Sequence, residues 1–286
     1  MSMFNQKRPT SAYVKYLLLA LLGLVFACGL IVMTQNQQTS TVSTVSSSQS
    51  SEQVVQTASS QTPEGYQVSD EETAYLKERF AKLSAINPEV IGYIYIPGTK
   101  LDEPVVQTGD NATYLEKTFE GTYEPYMGAV FMDTNNQKDF TDSLTWLFGH
   151  ARGSLVSDNR MFNDVNFYDD QTFFDQNPYL VLETPERNYY YEATYFIIVP
   201  ETTPLYRTSF ESKEDFRKQL ETVAAESKVK KADAVIDPLD KYLVLSTCRE
   251  EDGSLRANLY LRQIPDEDLP QFLAENGDKL TYVATR

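Results

Sequence analysis

The sequence predicts a mainly β fold in which eight strands form a closed or nearly closed barrel. Eight short runs of β-branched and aromatic residues lie between positions 90 and 262, and turn sequences such as "PGT", "GDN" and "DTNN" separate several of them. The chain also contains 19 tyrosines, a residue type that is common in sheets with half-buried faces. Closure of the sheet is favoured because a barrel removes exposed strand edges.

Three segments precede the predicted domain. Residues 1–15 carry three basic and no acidic side chains, and residues 16–33 are 18 uncharged, mostly apolar residues. A helix of that length spans roughly 27 Å, close to the hydrocarbon core of a bilayer, and positive flanks stay in the cytoplasm. We therefore expect an uncleaved, single-pass signal anchor in the cell membrane, with the N-terminus cytoplasmic and the rest extracellular. Residues 34–66, rich in Ser, Thr and Gln, are predicted to be a disordered stalk before a folded domain at 67–265 and a tail at 266–286.

Two helices are predicted to accompany the strands. Ser69 and Glu72 form a capping box, and apolar residues at helical spacing follow it. A longer helix, with Phe216, Leu220 and Val223 on one face, precedes the strand that ends in a cysteine, and Ser212 is its candidate N-cap. The predicted strands are 90–96, 104–107, 128–132, 143–148, 179–183, 189–199, 241–247 and 256–262.

The charge and the cysteine content narrow the function classes. The formal net charge is -16, and the part beyond residue 33 carries -19. Such a surface excludes nucleic-acid binding through a basic patch. Cys248 is the only cysteine beyond residue 33, so no intrachain disulfide can form there. An unpaired cysteine in an outer compartment indicates a working thiol.

Cys248, His150 and Arg256 are the candidate catalytic residues. Cys248 ends an apolar strand and, by alternation, shares a face with Ser246. His150 is the single histidine of the chain and also follows an apolar strand. If the last two predicted strands form a hairpin, Arg256 starts almost opposite Cys248.

Each of the three also has a purely structural interpretation. The thiol can be a small buried hydrophobic group, the imidazole a satisfied structural group, and the guanidinium the partner of Glu250, Glu251 or Asp252 in the adjacent loop. Together, however, a thiol, an imidazole that can protonate a leaving amine and a permanent cation supply the groups for acyl transfer through a thioester. A single histidine also argues against a zinc site.

The order of histidine, cysteine and arginine, with "FGH" and with "LSTC" eight residues before the arginine, resembles the sortases, the cysteine transpeptidases of Gram-positive cell surfaces. The similarity covers residues 69 to about 264. The stretches 87–115, 128–140 and 147–154 resemble the class B subgroup, as do the first helix and the long helix before the cysteine strand. The tail after Pro265 looks like an addition to the family pattern.

The resemblance implies a sortase-type barrel and a role for each candidate residue. Cys248 would be the nucleophile, His150 the general acid and base, and Arg256 the group that stabilises the substrate carbonyl and the oxyanion. The implied substrate-binding residues, the last through its backbone N–H, are Ser246, Thr247 and Arg249.

The resemblance also implies a reaction cycle. The thiol attacks the carbonyl of a Thr in a sorting motif near the C-terminus of a surface protein or pilin. An amine then resolves the thioester, either from a cell-wall precursor (lipid II) in cell-wall anchoring or from a pilin lysine in pilus assembly. No metal or organic cofactor is implied. Two other functions stay open: a secreted thiol protease that releases its product to water, and a stalked binding module without catalysis.

Overall fold

The structure is a computed structural model, and the residues it describes are 66–124, 127–151, 160–249 and 251–285. The predicted membrane anchor at 16–33 lies outside these ranges, as does the predicted stalk except for Tyr66. Within the four ranges, no helix combines the length and the apolar character needed to cross a bilayer.

Strands dominate the described part of the chain. The strands are β1 (Val90–Tyr95), β2 (Asp102–Val106), β3 (Val130–Met132), β4 (Leu144–Phe148), β5 (Tyr179–Glu183), β6 (Asn188–Pro200), β7 (Val229–Lys230), β8 (Tyr242–Cys248) and β9 (Leu255–Gln263). The α-helices are α1 (Asp70–Ile86), α2 (Gln171–Gln176), α3 (Lys213–Glu226) and α4 (Leu269–Asn276). Short 3-10 helices lie at Thr113–Leu115, Asn163–Asp169 and Gly277–Leu280.

The strands of the described ranges form one sheet in the order β5-β1-β2-β3-β4-β8-β9-β6-β7. Because β5 also pairs with β6, eight strands close into a barrel and β7 stays outside the closure. The pairings β2–β3 and β4–β8 are parallel, and the others are antiparallel. The predicted eight-stranded barrel is therefore confirmed. The short β7 was not predicted, because two residues cannot show a period-2 pattern.

The barrel interior is filled by alternate residues of the surrounding strands. From β8 it receives Leu243 and Leu245, and from β9 it receives Leu259 and Leu261, all fully buried. The intervening residues of β8 pack on the outer face of the barrel, where Val244 meets α3. Both faces of β8 are thus apolar over most of its length, which fixes its register against its neighbours.

Both predicted helices form, and both begin at the predicted N-cap. Ser69 Oγ accepts a hydrogen bond from the Glu72 amide at 3.0 Å, and Ser212 Oγ accepts one from the Asp215 amide at 3.1 Å. The second half of the capping box at Ser69 is not used. Instead, the Glu72 carboxylate accepts from the Asn188 amide at 2.7 Å, which ties the start of α1 to the start of β6.

The C-terminal tail packs against the barrel as part of the same core. Leu269 and Leu280 are both buried, and Leu280 packs among the side chains of β1 and β5 and their neighbours. The ring of Tyr282 lies edge-on to Tyr95 at 5.0 Å. Asp102 in β2 accepts hydrogen bonds from the amide and hydroxyl of Thr285, at 3.0 and 3.1 Å. The segment expected to be a simple addition therefore contributes to the folded domain.

Leu280→Ala should lower the free energy of unfolding by about 2–4 kcal/mol, because it empties a buried position where the tail meets the barrel. The measurement is urea unfolding followed by far-UV circular dichroism. Val283→Ala in the same tail is the control, since Val283 is 72% exposed and its truncation should cost less than about 0.5 kcal/mol. Equal midpoints for the two variants would show that the tail does not support the core.

Candidate functional site

The β8–β9 hairpin brings the candidate cysteine and arginine together. The antiparallel register pairs Cys248 directly with Arg256, and Ser246 with Asn258. These residues stand at the positions of the two strands that alternate with the inward leucines. They therefore lie on the outer face of the barrel, as the alternation predicts.

The histidine reaches the same place through a different strand pair. β4 runs parallel to β8 with Phe148 beside Ser246, and the amide of Gly149 donates to the Ser246 carbonyl at 3.3 Å. His150 follows at once and is half-buried. Its Nε2 donates to the carbonyl of Leu115 at 2.7 Å, since a carbonyl oxygen can only accept. Nδ1 is thereby left as the nitrogen that can gain or lose a proton.

Gly149 allows this close approach. A Cβ added at Gly149 would lie 3.0 Å from two ring carbons of Phe162 and 3.2 Å from a methyl of Val130. The amide of Phe162 in turn donates to the His150 carbonyl at 3.1 Å. The turn that carries the histidine is therefore packed directly on the barrel core.

The three candidate catalytic residues converge on one cleft of about 100 Å³. Two of the three predicted substrate-binding residues, Ser246 and Thr247, line it as well. Its other walls are apolar or backbone, and they are formed by Leu115, Ala129, Phe131, Phe148 and Gly149. A thiol, an imidazole and a guanidinium thus border a single small space that is open to solvent.

The guanidinium of Arg256 is held by several acceptors. Its Nη1 donates to the carbonyls of Gly253 and Leu255 at 2.8 and 3.1 Å, and its Nη2 contacts the Glu201 carboxylate at 2.7 Å. The carboxylate partner comes from the end of β6 and not from Glu251, which pairs with Arg249 instead. Among the described residues, the carboxylate partner of Arg256 therefore lies across the sheet and not in the adjacent loop, whose Glu250 is outside the described ranges.

Arg249 is placed differently from the other predicted site residues. Its amide, expected to serve as an oxyanion donor, donates to the Leu255 carbonyl at 3.1 Å inside the hairpin. Its side chain is 11% exposed and reaches the carbonyl of Asn166 and the carboxylate of Asp169, both at 3.2 Å. Asn166 also donates to the carbonyl of Cys248 at 3.2 Å. Arg249 and Asn166 therefore brace the end of β8 against the 3-10 helix Asn163–Asp169.

A larger groove of about 540 Å³ adjoins the cleft. The two share Leu115, Phe131, Phe148, Ser246 and Arg256. The groove extends over Asn111, Trp146, Glu201, Thr202, Thr203, Tyr206 and Asn258. Its lining is mostly apolar with a few polar groups, which suits an extended peptide.

Sequence reasoning missed the lining residues contributed by two loops, among them Asn111, Leu115, Glu201 and Tyr206. They lie in the connections after β2 and after β6, far along the chain from the cysteine. No spacing pattern links these connections to the hairpin, because only closure of the barrel brings them together.

Tyr206 is the groove residue whose ionisation the structure alters. Burial, together with its hydrogen bond to the Asp133 carboxylate and the charge of that group, raises the pKa of the Tyr206 hydroxyl far above its usual range. The hydroxyl therefore stays protonated and acts as a donor at every physiological pH. Among the described residues, no group of three or more His, Cys, Asp or Glu side chains could hold a metal ion.

Comparison with known proteins connects the chain to the class B sortases, although no protein-family model matches it. Sortase B of Staphylococcus aureus is 29% identical over 178 residues, which are 62% of this chain and 70% of that protein. A mutant form of Clostridium perfringens sortase B superposes with a TM-score of 0.63 and 26% identity, covering 68% of this chain and 91% of that one. A Staphylococcus aureus sortase B–substrate complex superposes with a TM-score of 0.60 and 25% identity, covering 68% of this chain and 92% of that one.

Gly149→Ala should destabilise the domain by about 1–3 kcal/mol, because the added methyl overlaps the Phe162 ring. It should also slow alkylation of Cys248 by iodoacetamide, since the shifted turn carries the imidazole beside the thiol. The measurements are thermal unfolding and the rate of carboxamidomethylation by mass spectrometry. Gly277→Ala is the control, because nothing lies within 4 Å of a Cβ at that position. An unchanged alkylation rate in folded Gly149→Ala would show that the position of this turn does not affect the reactivity of the Cys248 thiol.

Proposed function

We propose, from the premise that this chain is a homologue of the class B sortases, that it is a membrane-anchored cysteine transpeptidase acting at a Gram-positive cell surface. The observation that carries the proposal is the convergence of Cys248, His150 and Arg256 on one cleft that opens into an apolar groove. Two separate regions of the chain, the end of β4 and the β8–β9 hairpin, meet there and supply the three different groups that acyl transfer needs.

The first half of the cycle forms a thioester. The sulfur of Cys248 attacks the carbonyl carbon of the scissile peptide bond, a C–S bond forms, and the carbonyl π electrons move to oxygen. Collapse of this intermediate breaks the C–N bond. Nδ1 of His150 takes the proton of the Cys248 thiol as the sulfur attacks and then delivers it to the leaving amine, because Nε2 is held by the Leu115 carbonyl.

The second half of the cycle reverses these steps with a new amine. The amine nitrogen attacks the thioester carbonyl, and Nδ1 of His150 takes the surplus proton. The C–S bond then breaks, and that proton passes to the sulfur, which restores the thiol. The incoming amine thus replaces the departed one, and no oxidant, reductant or cofactor takes part. Whether water or an amine completes the cycle decides between a protease and a transpeptidase.

Arg256 stabilises the charge that develops on the carbonyl oxygen. The contacts in the described residues use three of its five N–H groups, two on carbonyls and one on Glu201. These contacts hold the guanidinium at the rim of the cleft before substrate arrives, so that little reorganisation is needed in the transition state. We assign Ser246 and Thr247 to the cleft wall and give Arg249 a supporting role at the end of β8.

The substrates are proposed by analogy with the family. The acyl donor would be a surface protein or pilin with a C-terminal sorting signal, its motif lying in the groove next to the cleft. The acceptor would be an amine of lipid II or of a pilin lysine. A solved structure of the Staphylococcus aureus homologue is a sortase B–substrate complex, which supports substrate binding by this chain.

Arg256→Lys should lower the rate of thioester formation about 100-fold or more, because an ammonium lacks the planar set of donors that holds the oxyanion. The assay uses peptides with sortase sorting motifs and triglycine as the amine, with products identified by mass spectrometry. Arg262→Lys is the matched control, since Arg262 lies on the same strand but pairs with Asp240 away from the cleft.

Cys248→Ala should abolish both the covalent adduct and the transfer product in the same assay. Triglycine-linked product from the unaltered chain supports transpeptidation. Release of free acid without amine product would establish a thiol protease instead. If no adduct formed on Cys248 with any peptide, the proposed enzyme class would be wrong.

Residues 16–33 are proposed to anchor the protein in the membrane. The full chain should sediment with membranes and resist extraction at alkaline pH, whereas a chain lacking residues 1–33 should stay in the supernatant. Protease added to intact cells should digest the domain only if it lies outside the cell. Recovery of the full chain in the soluble fraction would contradict the anchor.

A further inference from the structure

Asp133 is a buried carboxylate that the proposed cycle does not use. It follows β3 directly, and its side chain is fully buried. One oxygen, Oδ1, accepts from the amide of Asn135 at 2.8 Å and from its side-chain Nδ2 at 3.0 Å. The other, Oδ2, accepts from the Asn111 Nδ2 at 2.8 Å and from the Tyr206 hydroxyl.

The two partners of Oδ2 come from different parts of the groove wall. Asn111 belongs to the connection after β2, and Tyr206 belongs to the connection after β6. The Tyr206 ring packs edge-on against Trp146 at 5.1 Å and against Phe148 at 5.8 Å, both in β4. A single carboxylate oxygen therefore joins two loops that are otherwise remote in sequence.

The loop of Asn111 also leads to the cleft. Asn111 Oδ1 accepts from the Thr134 amide at 2.9 Å, which fixes this loop to the residue after Asp133. The 3-10 helix Thr113–Leu115 follows, and its last carbonyl holds His150 Nε2. Loss of the Asp133 carboxylate should therefore displace the groove wall most and the imidazole of His150 less.

We propose that Asp133 is a positioning residue that holds the Asn111 and Tyr206 walls of the groove together and so sets its shape for the acyl-donor peptide. This inference rests on the proposed transpeptidase function. Only an ionised carboxylate can accept from all four donors at once, since a side-chain amide offers one acceptor atom and adds a competing donor. Loss of the Asp133 carboxylate removes the acceptor that the two loops share, which favours outward movement of the loops.

The first test is a comparison of Asp133→Asn with Asp102→Asn, using whichever sorting peptide the unaltered chain turns over. Asp102 is a matched control because it is also buried and also accepts from a tyrosine hydroxyl, that of Tyr93 at 2.7 Å, but it lies outside the groove. Asp133→Asn should raise KM for the peptide about 10-fold with kcat changed less than about threefold. Asp102→Asn should lower stability and leave KM unchanged.

Tyr206→Phe is the second variant, since it removes only the hydroxyl and keeps the ring. It should also raise KM. The double variant with Asp133→Asn should have the same KM as Asp133→Asn alone, because both changes remove the same hydrogen bond between Tyr206 and Asp133. Multiplied effects in the double variant would show that the two residues act separately.

A readout independent of turnover comes from Trp146, the single tryptophan of the chain, which is 1% exposed beside Tyr206. Acrylamide quenching of its fluorescence should increase in Asp133→Asn and stay unchanged in Asp102→Asn. If no peptide is turned over by the unaltered chain, the proposed function fails. The quenching measurement still tests whether Asp133 holds the Asn111 and Tyr206 walls of the groove together. Folded Asp133→Asn and Tyr206→Phe with unchanged quenching, or with unchanged KM, would overturn the inference.

Discussion

The candidate site depends on the pairing of β8 with β4 on one side and with β9 on the other. The parallel pair sets Phe148 beside Ser246, so the histidine that follows reaches the end of the cysteine strand. The antiparallel pair sets Arg256 opposite Cys248. A slip of one residue in either pair would turn the reactive side chains to the other face of the barrel. Leucines packed inside and a valine packed under α3 make such a slip costly.

The outer face of β8 changes character along its length. Near its start, Tyr242 and Val244 are covered by Phe216 and Leu220 of α3 and belong to the core. Toward its end, Ser246 and Cys248 border the cleft instead. The thiol therefore stands on a rigid strand but faces an open space, which combines fixed position with access to substrate.

Three acidic groups hold the loops around this strand. Asp169 binds Arg249 beside the cysteine, Glu201 binds Arg256 at the cleft, and Asp133 joins the two groove walls. The net charge of -16 keeps the rest of the surface hydrated, whereas these few carboxylates have specific partners. Loop position is thus set by charge-assisted hydrogen bonds on a scaffold whose stability comes from apolar packing.

The sequence by itself determined the local elements and the candidate catalytic set. Alternation placed Cys248 and Arg256 outside the barrel, and the caps at Ser69 and Ser212 marked both predicted helices, because these signals act over a few residues. Only the tertiary structure decided that Leu115 holds the imidazole, that Glu201 pairs with the guanidinium, and that the tail completes the core. These contacts join segments that meet when the barrel closes, and no pattern within either segment encodes its partner. Arg249 shows the same limit. The family resemblance implied an oxyanion-donor role for its amide, whereas in the structure that amide donates to the Leu255 carbonyl and the side chain binds Asp169.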